Sequence, residues 1–334
     1  MTETLFLRSD EVEGLASPAE YVDAVREGYR QVGEGAPAEP RTTLPNAEPP
    51  GMLTSYIAIL PDTGAMGGYT YSAGFAAGDA WFMTPVFDAE TGEPLALIDG
   101  AHMNPFKTGA VGAVGIDALA REDVETLAVI GSGRQARGQL VSAVTVREFT
   151  QVRIYSPTKD NREAFAASMN EQLEPTVAAV ASSAAAVEGA DVVITATNAS
   201  QPVFDGDHLD DGAHVTSIGQ YNPEKRELDG TTIQRATYVP DLRTRALQDA
   251  GSFLQAMNEG LVDEEHIHAE LGDVVAGVEP GRASPDEVTV FDSGGTAIET
   301  IAAAHMVFEK GRDAGLGTTI DFAPASQAMP TAQK

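Results

Sequence analysis

The sequence of 334 residues contains no cysteine, one tryptophan and only five lysines. Without cysteine the chain has no disulfide bond and no thiolate ligand for a metal. An apolar run of about 18 residues is also missing, so we expect no membrane-spanning helix. The first residues, Met-Thr-Glu-Thr, form neither a basic nor an apolar segment, so we expect no signal peptide and a cytoplasmic protein.

Basic side chains are scarce, because 21 lysines and arginines accompany 50 aspartates and glutamates, for a formal net charge of −29. Phosphate contacts need basic patches, so this balance argues against a nucleic acid as partner. The acids are spread along the whole chain, which is typical of a folded acidic surface and not of a disordered tail. Such a surface suits high salt, where screening removes the repulsion between like charges, and we expect an extreme halophile as the source.

The length and the 43% of hydrophobic residues predict two domains. Up to residue 100, Gly-rich turns separate short apolar segments, which predicts a β-rich part. It has one helix from Ser17, a loop over 36–50, and strands at Thr4–Leu7, Met52–Leu60, Gly67–Ser72, Trp81–Phe87 and Pro94–Leu97. A helix of small residues is predicted over Asn104–Arg121.

From residue 125 strands and helices alternate, which predicts an α/β fold with a doubly wound parallel sheet. The expected strands are Leu127–Ile130, Val152–Tyr155, Val177–Val180, Asp191–Ala196, His214–Ile218, Tyr238–Pro240 and Val288–Phe291. The expected helices are Ala136–Val146, Asp160–Glu171, Ser182–Val187, Arg243–Glu259 and Gly295–Gly311.

One turn in this part has a nucleotide-binding pattern, G-x-G-x-x-A between an apolar strand and a helix. The glycines let the backbone approach a pyrophosphate, and the free N–H groups at the start of the helix face that anion. The alternative is an ordinary tight turn. We expect a dinucleotide at Gly131, Ser132, Gly133, Arg134, Gln135 and Ala136.

Several segments together resemble the ornithine cyclodeaminase/mu-crystallin family, which includes archaeal-type alanine dehydrogenases and imine reductases. They occur in the order of the family and are Thr91–Gly100, Gly131–Ala136, Ala190–Thr197, Pro223–Asp229, Glu270–Gly277 and Thr289–Ser293. The resemblance implies a Rossmann domain over 116–300. It also implies a homodimer and a discontinuous substrate-binding and dimerisation domain over 1–115 and 301–334.

The family binds the carboxylate of an amino or imino acid with an arginine, a lysine and a second arginine. In this chain Arg41 matches the first position, Tyr69 the second and Lys107 the third, and Gly294 is expected beside them. A lysine pairs with a carboxylate as a point charge, without the two-pronged geometry of arginine. The alternatives are a solvated loop arginine at 41 and, at 107, a lysine whose stem covers apolar surface.

The proton donor differs from that of the family's cyclodeaminases, because Tyr221 falls where they have an aspartate. A tyrosine with a pKa of about 10 is not a base at pH 7, but it donates a proton or a hydrogen bond. This difference favours hydride transfer to an imine, with Lys107, Tyr221 and Tyr69 as catalytic residues and water as another proton source. Tyr221 as a packing aromatic is the alternative.

We therefore expect an NAD(P)H-dependent amino-acid dehydrogenase or imine reductase that acts on a small amino or imino acid. An ammonia-lyase of the ornithine cyclodeaminase type and a non-catalytic, crystallin-like nucleotide-binding protein are the alternatives. The side chain of the substrate stays open. The six histidines show no metal-ligand spacing, so no metal is expected.

Further cofactor contacts are expected where two strands end, since parallel sheets bind ligands at these ends. These residues are Thr195, Ala196, Thr197, Ile218 and Gly219. The resemblance adds Thr108, Lys225 and Ser293. The turn after the second strand offers Ser156, Thr158 and Lys159, with no acid before Asp160. A 2′-phosphate meets no negative charge there, which favours NADPH, with the use of both cofactors as the alternative.

Overall fold

The computed structural model describes residues 2–327, so residues 328–334 of the predicted C-terminal part lie outside the described range. The N-terminal part contains β1 (Thr2–Leu7), α1 (Ser9–Val12), α2 (Pro18–Gly33), β2 (Thr42–Asn46), β3 (Gly51–Leu60), β4 (Ala65–Gly74), β5 (Asp79–Asp88), β6 (Pro94–Asp99) and α3 (Met103–Leu119).

The middle of the chain contains β7 (Thr126–Ile130), α4 (Arg134–Ala143), β8 (Gln151–Tyr155), α5 (Lys159–Asn170), β9 (Thr176–Ala179), α6 (Ser183–Val187), β10 (Val192–Thr195), β11 (His214–Ser217), α7 (Gly230–Arg235), β12 (Ala236–Pro240), α8 (Arg243–Asp249), α9 (Gly251–Asn258), α10 (Leu271–Val275) and β13 (Val288–Asp292). The chain then forms α11 (Ala297–Asp313) and β14 (Thr318–Phe322).

Two seven-stranded sheets organise these elements. The first has the order β14-β1-β6-β5-β4-β3-β2 and is antiparallel except where β1 pairs with β6. The second has the order β12-β13-β11-β10-β7-β8-β9 and is parallel throughout. The predicted fold class, a doubly wound parallel sheet with a second β-rich part, is confirmed.

The strands at the centre of the parallel sheet are buried on both faces. All four residues of β10 and all four of β11 are buried, as are all five of β13. Continuous apolar runs of this kind are typical of parallel strands covered by helices on both sides. The order of the strands reverses between β7 and β10, so a ligand crevice is expected where these two strands end.

Helix α11, together with α2, covers one face of the first sheet, and α3 packs between these helices and the parallel sheet. In α2, Ser17 and Glu20 form a capping box, and Tyr21, Val25 and Tyr29 are buried, so the predicted helix and its buried face are confirmed. Helix α11 returns the chain from the parallel sheet to the first sheet. The predicted domain boundaries at 115/116 and 300/301 fall inside α3 and α11, and the division at those residues stays a prediction.

Two predictions of local structure are wrong, and one strand was missed. The predicted loop over 36–50 contains β2, an exposed edge strand that pairs only with β3 among the described residues. The predicted helix over 243–259 is broken at Ala250, where the following Gly251 lies so close to the backbone of Lys225 that a side chain there would overlap with it. Strand β14 was not predicted and pairs with the edge of β1.

Helices α3 and α4 approach each other more closely than side chains would allow. A Cβ atom on Gly109 would overlap with the carbonyl group of Gly138, and one on Gly138 would overlap with that of Pro105. This contact brings the first turns of α3 against the first turns of α4. No helix within residues 2–327 is long and apolar enough to cross a membrane.

Candidate active site

A cavity of about 260 Å³ lies between the two sheets, where β10 and β11 end. Its walls combine aromatic side chains from the first sheet, the start of α3, the loops after β10 and β11, and the loop before α11. The lining residues are Arg41, Tyr56, Tyr69, Tyr71, Ala73, Ala80, Phe82, Asn104, Lys107, Thr108, Gln135, Ala196, Thr197, Asn198, Ile218, Gly219, Tyr221, Gly294 and Gly295.

The structure brings together all the residues predicted to bind substrate or to take part in catalysis, although they are far apart in sequence. These are Arg41, Tyr69, Lys107, Tyr221 and Gly294. Six of the predicted cofactor residues line the same cavity: Thr108, Gln135, Ala196, Thr197, Ile218 and Gly219. Their roles stay predictions, but one cavity holds both groups.

Lys107 lies in the first turns of α3 and is only 2% exposed. Its Nζ atom lies 3.5 Å from Oε1 of Glu299 and 4.9 Å from the centre of the Tyr69 ring. Burial lowers the pKa of Lys107 from its ordinary value, and Glu299 acts in the opposite direction. A lysine that only covers apolar surface would keep its ammonium group in water, so this alternative does not fit.

Glu299 owes its position to the start of α11. It forms a capping box with Thr296, whose backbone N–H donates to Oε1 of Glu299 at 2.6 Å. The hydroxyl of Tyr29 also donates to Glu299, at 3.3 Å. The helix cap therefore holds a buried carboxylate next to Lys107.

Arg41 is 4% exposed and is held by backbone as well as by charge. Its Nη2 atom donates to the carbonyl oxygens of Gly294 and Gly295, the latter at 2.7 Å. Its Nε atom lies 3.3 Å from Oδ2 of Asp249, and its guanidinium carbon lies 4.5 Å from the centre of the Tyr221 ring. Arg41 is therefore not a solvated loop arginine.

Gly294 lets these groups come together. A Cβ atom there would lie 3.0 Å from Nη2 of Arg41, 3.1 Å from Cβ of Tyr221 and 3.2 Å from Cδ of Arg245. Arg245 is fully buried and pairs with Asp241 at 2.7 Å and with carboxylates that include Asp292 at 2.8 Å. This buried ion network fixes the loop that holds Arg41.

Two tyrosines present hydroxyl groups to the cavity. The Tyr69 hydroxyl donates to Oδ1 of Asn104 at 3.1 Å, and its ring stacks on Phe82 at 5.5 Å. Burial raises the pKa of Tyr69 well above its ordinary value. Tyr221 is 38% exposed, and desolvation raises its pKa to about 12. Both hydroxyls are protonated at neutral pH, so they donate hydrogen bonds and do not act as bases.

The predicted nucleotide turn has the shape that a pyrophosphate needs. Gly131 has a φ of 130°, and a Cβ atom there would lie 2.5 Å from the carbonyl oxygen of Ala196. A Cβ atom on Gly133 would meet nothing within 4 Å. No side chain caps α4 at Gly133, so the first N–H groups of the helix are free for an anion. Ala136 is buried behind this turn.

The turn after β8 lies next to the nucleotide turn. Ser156 is buried, and its hydroxyl accepts a hydrogen bond from the Ser132 hydroxyl at 3.0 Å. Thr158 and Lys159 are exposed, as is Arg134 at the start of α4. Arg162, which sequence reasoning missed, donates from Nη1 to the carbonyl oxygen of Ser156 at 2.9 Å.

Eleven residues predicted at the cofactor do not line the cavity, and three of them also lie outside the nucleotide turn and the turn after β8. The Ser293 hydroxyl is buried and donates to Asp241 at 2.8 Å, so it supports the loop from behind. The Thr195 hydroxyl is buried and donates to Glu227 at 3.0 Å. Lys225 is half-buried in the loop before α7.

Sequence reasoning also missed several residues of the cavity wall. Tyr71 follows the predicted Tyr69 two residues later on β4, and both face the same side as Tyr56 on β3 and Phe82 on β5, which were also missed. That period of two was present in the sequence as a signal. Within residues 2–327, no three histidine, aspartate or glutamate side chains lie together as ligands for a metal ion.

Comparison with known proteins gives consistent results. The model of the ornithine cyclodeaminase/mu-crystallin family matches residues 2–315. A Delta(1)-pyrroline-2-carboxylate reductase of Bacillus cereus is 36% identical over 236 residues, which are 70% of this chain and 72% of that protein.

Two solved structures are similar over nearly the whole chain. Thermococcus litoralis Delta(1)-pyrroline-2-carboxylate reductase in complex with NADH and L-proline superimposes with a TM-score of 0.90 at 32% identity, covering 95% of this chain and 100% of that one. An archaeal alanine dehydrogenase dimer with bound NAD gives a TM-score of 0.89 at 29% identity, covering 96% and 100%.

Proposed function

The chain belongs to the ornithine cyclodeaminase/mu-crystallin family, and on this premise we propose that it is an NAD(P)H-dependent reductase of a small cyclic imino acid. The same chemistry in reverse is that of an amino-acid dehydrogenase. One observation carries the proposal: two buried cations, Arg41 and Lys107, line one cavity together with the ends of two parallel strands and with Gln135 of the predicted nucleotide segment.

Several residues fit a dinucleotide cofactor. The turn at Gly131 and Gly133 and the uncapped start of α4 would hold its pyrophosphate, and Thr197 and Gly219 would line the end where it meets the substrate. When bound, NAD(P)H supplies the hydride that reduces a C=N bond. The protein has to hold the substrate, orient its imine carbon and provide a proton.

The α-carboxylate of the substrate binds between Arg41 and Lys107. Both cations are buried, so their attraction for an anion is stronger than it would be in water. Aspartate and glutamate are absent from the cavity wall in the described part of the chain. The two nearest buried acids, Asp249 and Glu299, already pair with Arg41 and Lys107.

The rest of the substrate is apolar. Tyr56, Tyr71 and Phe82 line the cavity with aromatic rings. Apart from Arg41 and Lys107, the described lining residues include no charged side chain that could bind a second amine or carboxylate of the substrate. This arrangement favours a five-membered cyclic imine that carries a single carboxylate group. The pyrroline-2-carboxylate reductases among the relatives carry that substrate in their names.

The proton for the imine nitrogen comes from a hydroxyl group in the cavity or from water. Tyr221 stays protonated because its pKa is raised to about 12, and the Tyr69 hydroxyl is oriented by Asn104. Neither tyrosine provides the base that deamination of ornithine would need.

A substrate panel with purified protein in molar KCl tests this function. We expect oxidation of the reduced cofactor with pyrroline-2-carboxylate, and slower oxidation with pyruvate and ammonia, because the aromatic wall favours a ring. Proline and ammonia formed from ornithine without a net change in cofactor would establish the deaminating reaction instead. Tight nucleotide binding without turnover on any substrate would indicate a non-catalytic protein.

NADPH is the preferred cofactor in this proposal. Support comes from the turn after β8, where Lys159 and Arg162 are the nearby cations and no acid precedes Asp160. Lys159 also lies 3.6 Å from Glu163, which weakens its effect without removing it. We expect kcat/KM to be higher for NADPH than for NADH, and Lys159→Ala to lower only the NADPH value, by about threefold to tenfold for one exposed cation.

The two cofactors act as internal controls for each other, since Lys159 would contact only the 2′-phosphate. A tenfold preference for NADH would contradict the assignment, as would a Lys159→Ala variant with unchanged use of NADPH. The two solved relatives contain NADH and NAD, so the comparison of both cofactors is the decisive measurement.

A homodimer is also proposed, formed through the outer face of the first sheet. Leu53, Ile57 and Ile59 of β3 and Trp81 and Met83 of β5 point away from the helices and are exposed, Ile57 by 58% and Met83 by 60%. An apolar patch of this extent on one face marks an interaction site. The alanine dehydrogenase relative was solved as a dimer.

Light scattering in 2 M KCl should give twice the chain mass of 35.0 kDa. In the proposed dimer, a glutamate at position 57 would face either the same glutamate of the second subunit or its apolar surface. Both contacts are unfavourable, so we expect the Ile57→Glu variant to be monomeric. Val278→Glu is the matched control, because Val278 is also exposed but lies outside this sheet. A monomeric wild-type protein, or an Ile57→Glu variant that remains a dimer, would contradict this interface.

A further inference from the structure

Glu227 lies between β11 and α7 and is fully buried. One of its carboxylate oxygens accepts a hydrogen bond from the backbone N–H of Thr197 at 2.7 Å. The other accepts from the backbone N–H of Gly219 at 2.7 Å and from the Thr195 hydroxyl at 3.0 Å. All three donors are neutral, and none of the ion pairs among the described residues includes Glu227.

The donors belong to the ends of two neighbouring strands. Thr195 and Thr197 lie at the end of β10, and Gly219 lies just beyond β11. Thr197 and Gly219 both line the cavity, whereas Glu227 lies behind them. A Cβ atom on Gly219 would overlap with backbone atoms of Thr197, so the two chain segments are closer than any side chain would permit.

A carboxylate in this place is costly for folding. Desolvation raises the pKa of Glu227 to about 7, although its three hydrogen bonds favour the ionised form. The folded pKa lies above the ordinary value, so this group reduces stability progressively as the pH rises from that value to about 7. A neutral residue would avoid this cost, so the acid is better explained by what it holds in place.

We propose that Glu227 is a positioning residue, which ties the ends of β10 and β11 together and so shapes the end of the cofactor site where the substrate is reduced. This inference rests on the proposed function. Both oxygens are needed, because Thr197 and Gly219 donate to different ones. Glutamine has the same shape but only one acceptor oxygen, so one of the two backbone N–H groups loses its partner.

The test measures the dissociation constant of NADPH by fluorescence, without turnover. For Glu227→Gln we expect Kd to rise about tenfold, while the melting temperature stays within a few degrees of that of the wild type. Asp229→Asn is the matched control. Asp229 accepts backbone N–H bonds from Gly206 and Thr232 in the same segment, but it caps α7 away from the cavity. We expect its Kd to be unchanged.

Thr195→Val is the second variant, in case Glu227→Gln does not fold. It removes only the hydroxyl donor to Glu227, and we expect Kd to rise by about twofold to threefold. If Kd is unchanged in the folded variants, or rises equally in Asp229→Asn, Glu227 has no positioning role. If the wild-type protein binds neither NADPH nor NADH, the proposed NAD(P)H-dependent function is wrong, and the role of Glu227 falls with it.

Discussion

Replacing Lys107 by methionine is expected to lower kcat/KM for the imino acid by a factor of about a hundred to a thousand, the range found when one buried charge-stabilising donor is removed. Methionine keeps much of the lysine stem in its apolar surroundings and removes only the charge. The substrate carboxylate then meets Arg41 alone, and Arg41 is already partly engaged with Asp249. Steady-state kinetics with the cofactor at saturation measures this effect.

The same variant should leave the binding of the cofactor almost unchanged. Lys107 contacts Tyr69, which lines the substrate side of the cavity, and Glu299, which is buried outside the cavity wall. Some stability will be lost, because Glu299 stays buried without its cation, although it keeps the hydrogen bonds from Thr296 and Tyr29. Measuring Kd for NADPH and the melting temperature separates these effects from a loss of catalysis.

Lys310→Met is the matched control, since Lys310 is a partly exposed lysine that pairs with Glu20 on the outside of α11. Its kcat/KM should equal that of the wild type, because a surface ion pair contributes about 1 kcal/mol or less. If kcat/KM of Lys107→Met falls by less than about fivefold, Lys107 does not hold the substrate carboxylate.

The strands of the parallel sheet were predictable because each is identified by its own short stretch of sequence. A continuous apolar run bounded by glycine or polar residues is enough to identify β7, β10 and β13, and their alternation with helices gives the sheet. The break at Ala250 was not predictable in this way. It adjoins a close contact of Gly251 with the loop at Lys225, which no pattern within 243–259 reveals.

The site could be predicted only where the sequence resembles a family. Arg41 and Lys107 carry no local signal, and the resemblance alone pointed to them. Their partners come from the other end of the chain, since Gly294 lies just before α11 and Glu299 lies in its first turn. Glu227 is one of several charged residues in a polar segment, so its sequence gives no signal. Its proposed role is visible only in the structure, where the ends of β10 and β11 both donate hydrogen bonds to it.

The second large effect concerns salt: the melting temperature should rise by about 10 °C or more between 0.1 M and 3 M KCl. The chain carries a net charge of −29, and the acids are distributed over its whole length. At 0.1 M salt the Debye length is about 10 Å, so neighbouring surface carboxylates repel each other, whereas at 1 M it is about 3 Å. The unfolded chain spreads the same charges over a larger volume, so screening stabilises the folded state more.

Salt also strengthens hydrophobic burial, and the experiment has to separate the two effects. Sucrose strengthens burial through exclusion from the surface but screens no charge, so it should raise the melting temperature much less than KCl at equal water activity. A variant in which the exposed Glu122, Glu171, Glu174 and Glu279 are replaced by glutamine provides a second control. With four fewer negative charges, it should melt higher than the wild type at 0.1 M KCl and converge with it at 3 M. If sucrose and KCl act equally, or if the variant gains nothing at low salt, charge repulsion does not limit the stability of this protein and the halophilic interpretation of its composition is wrong.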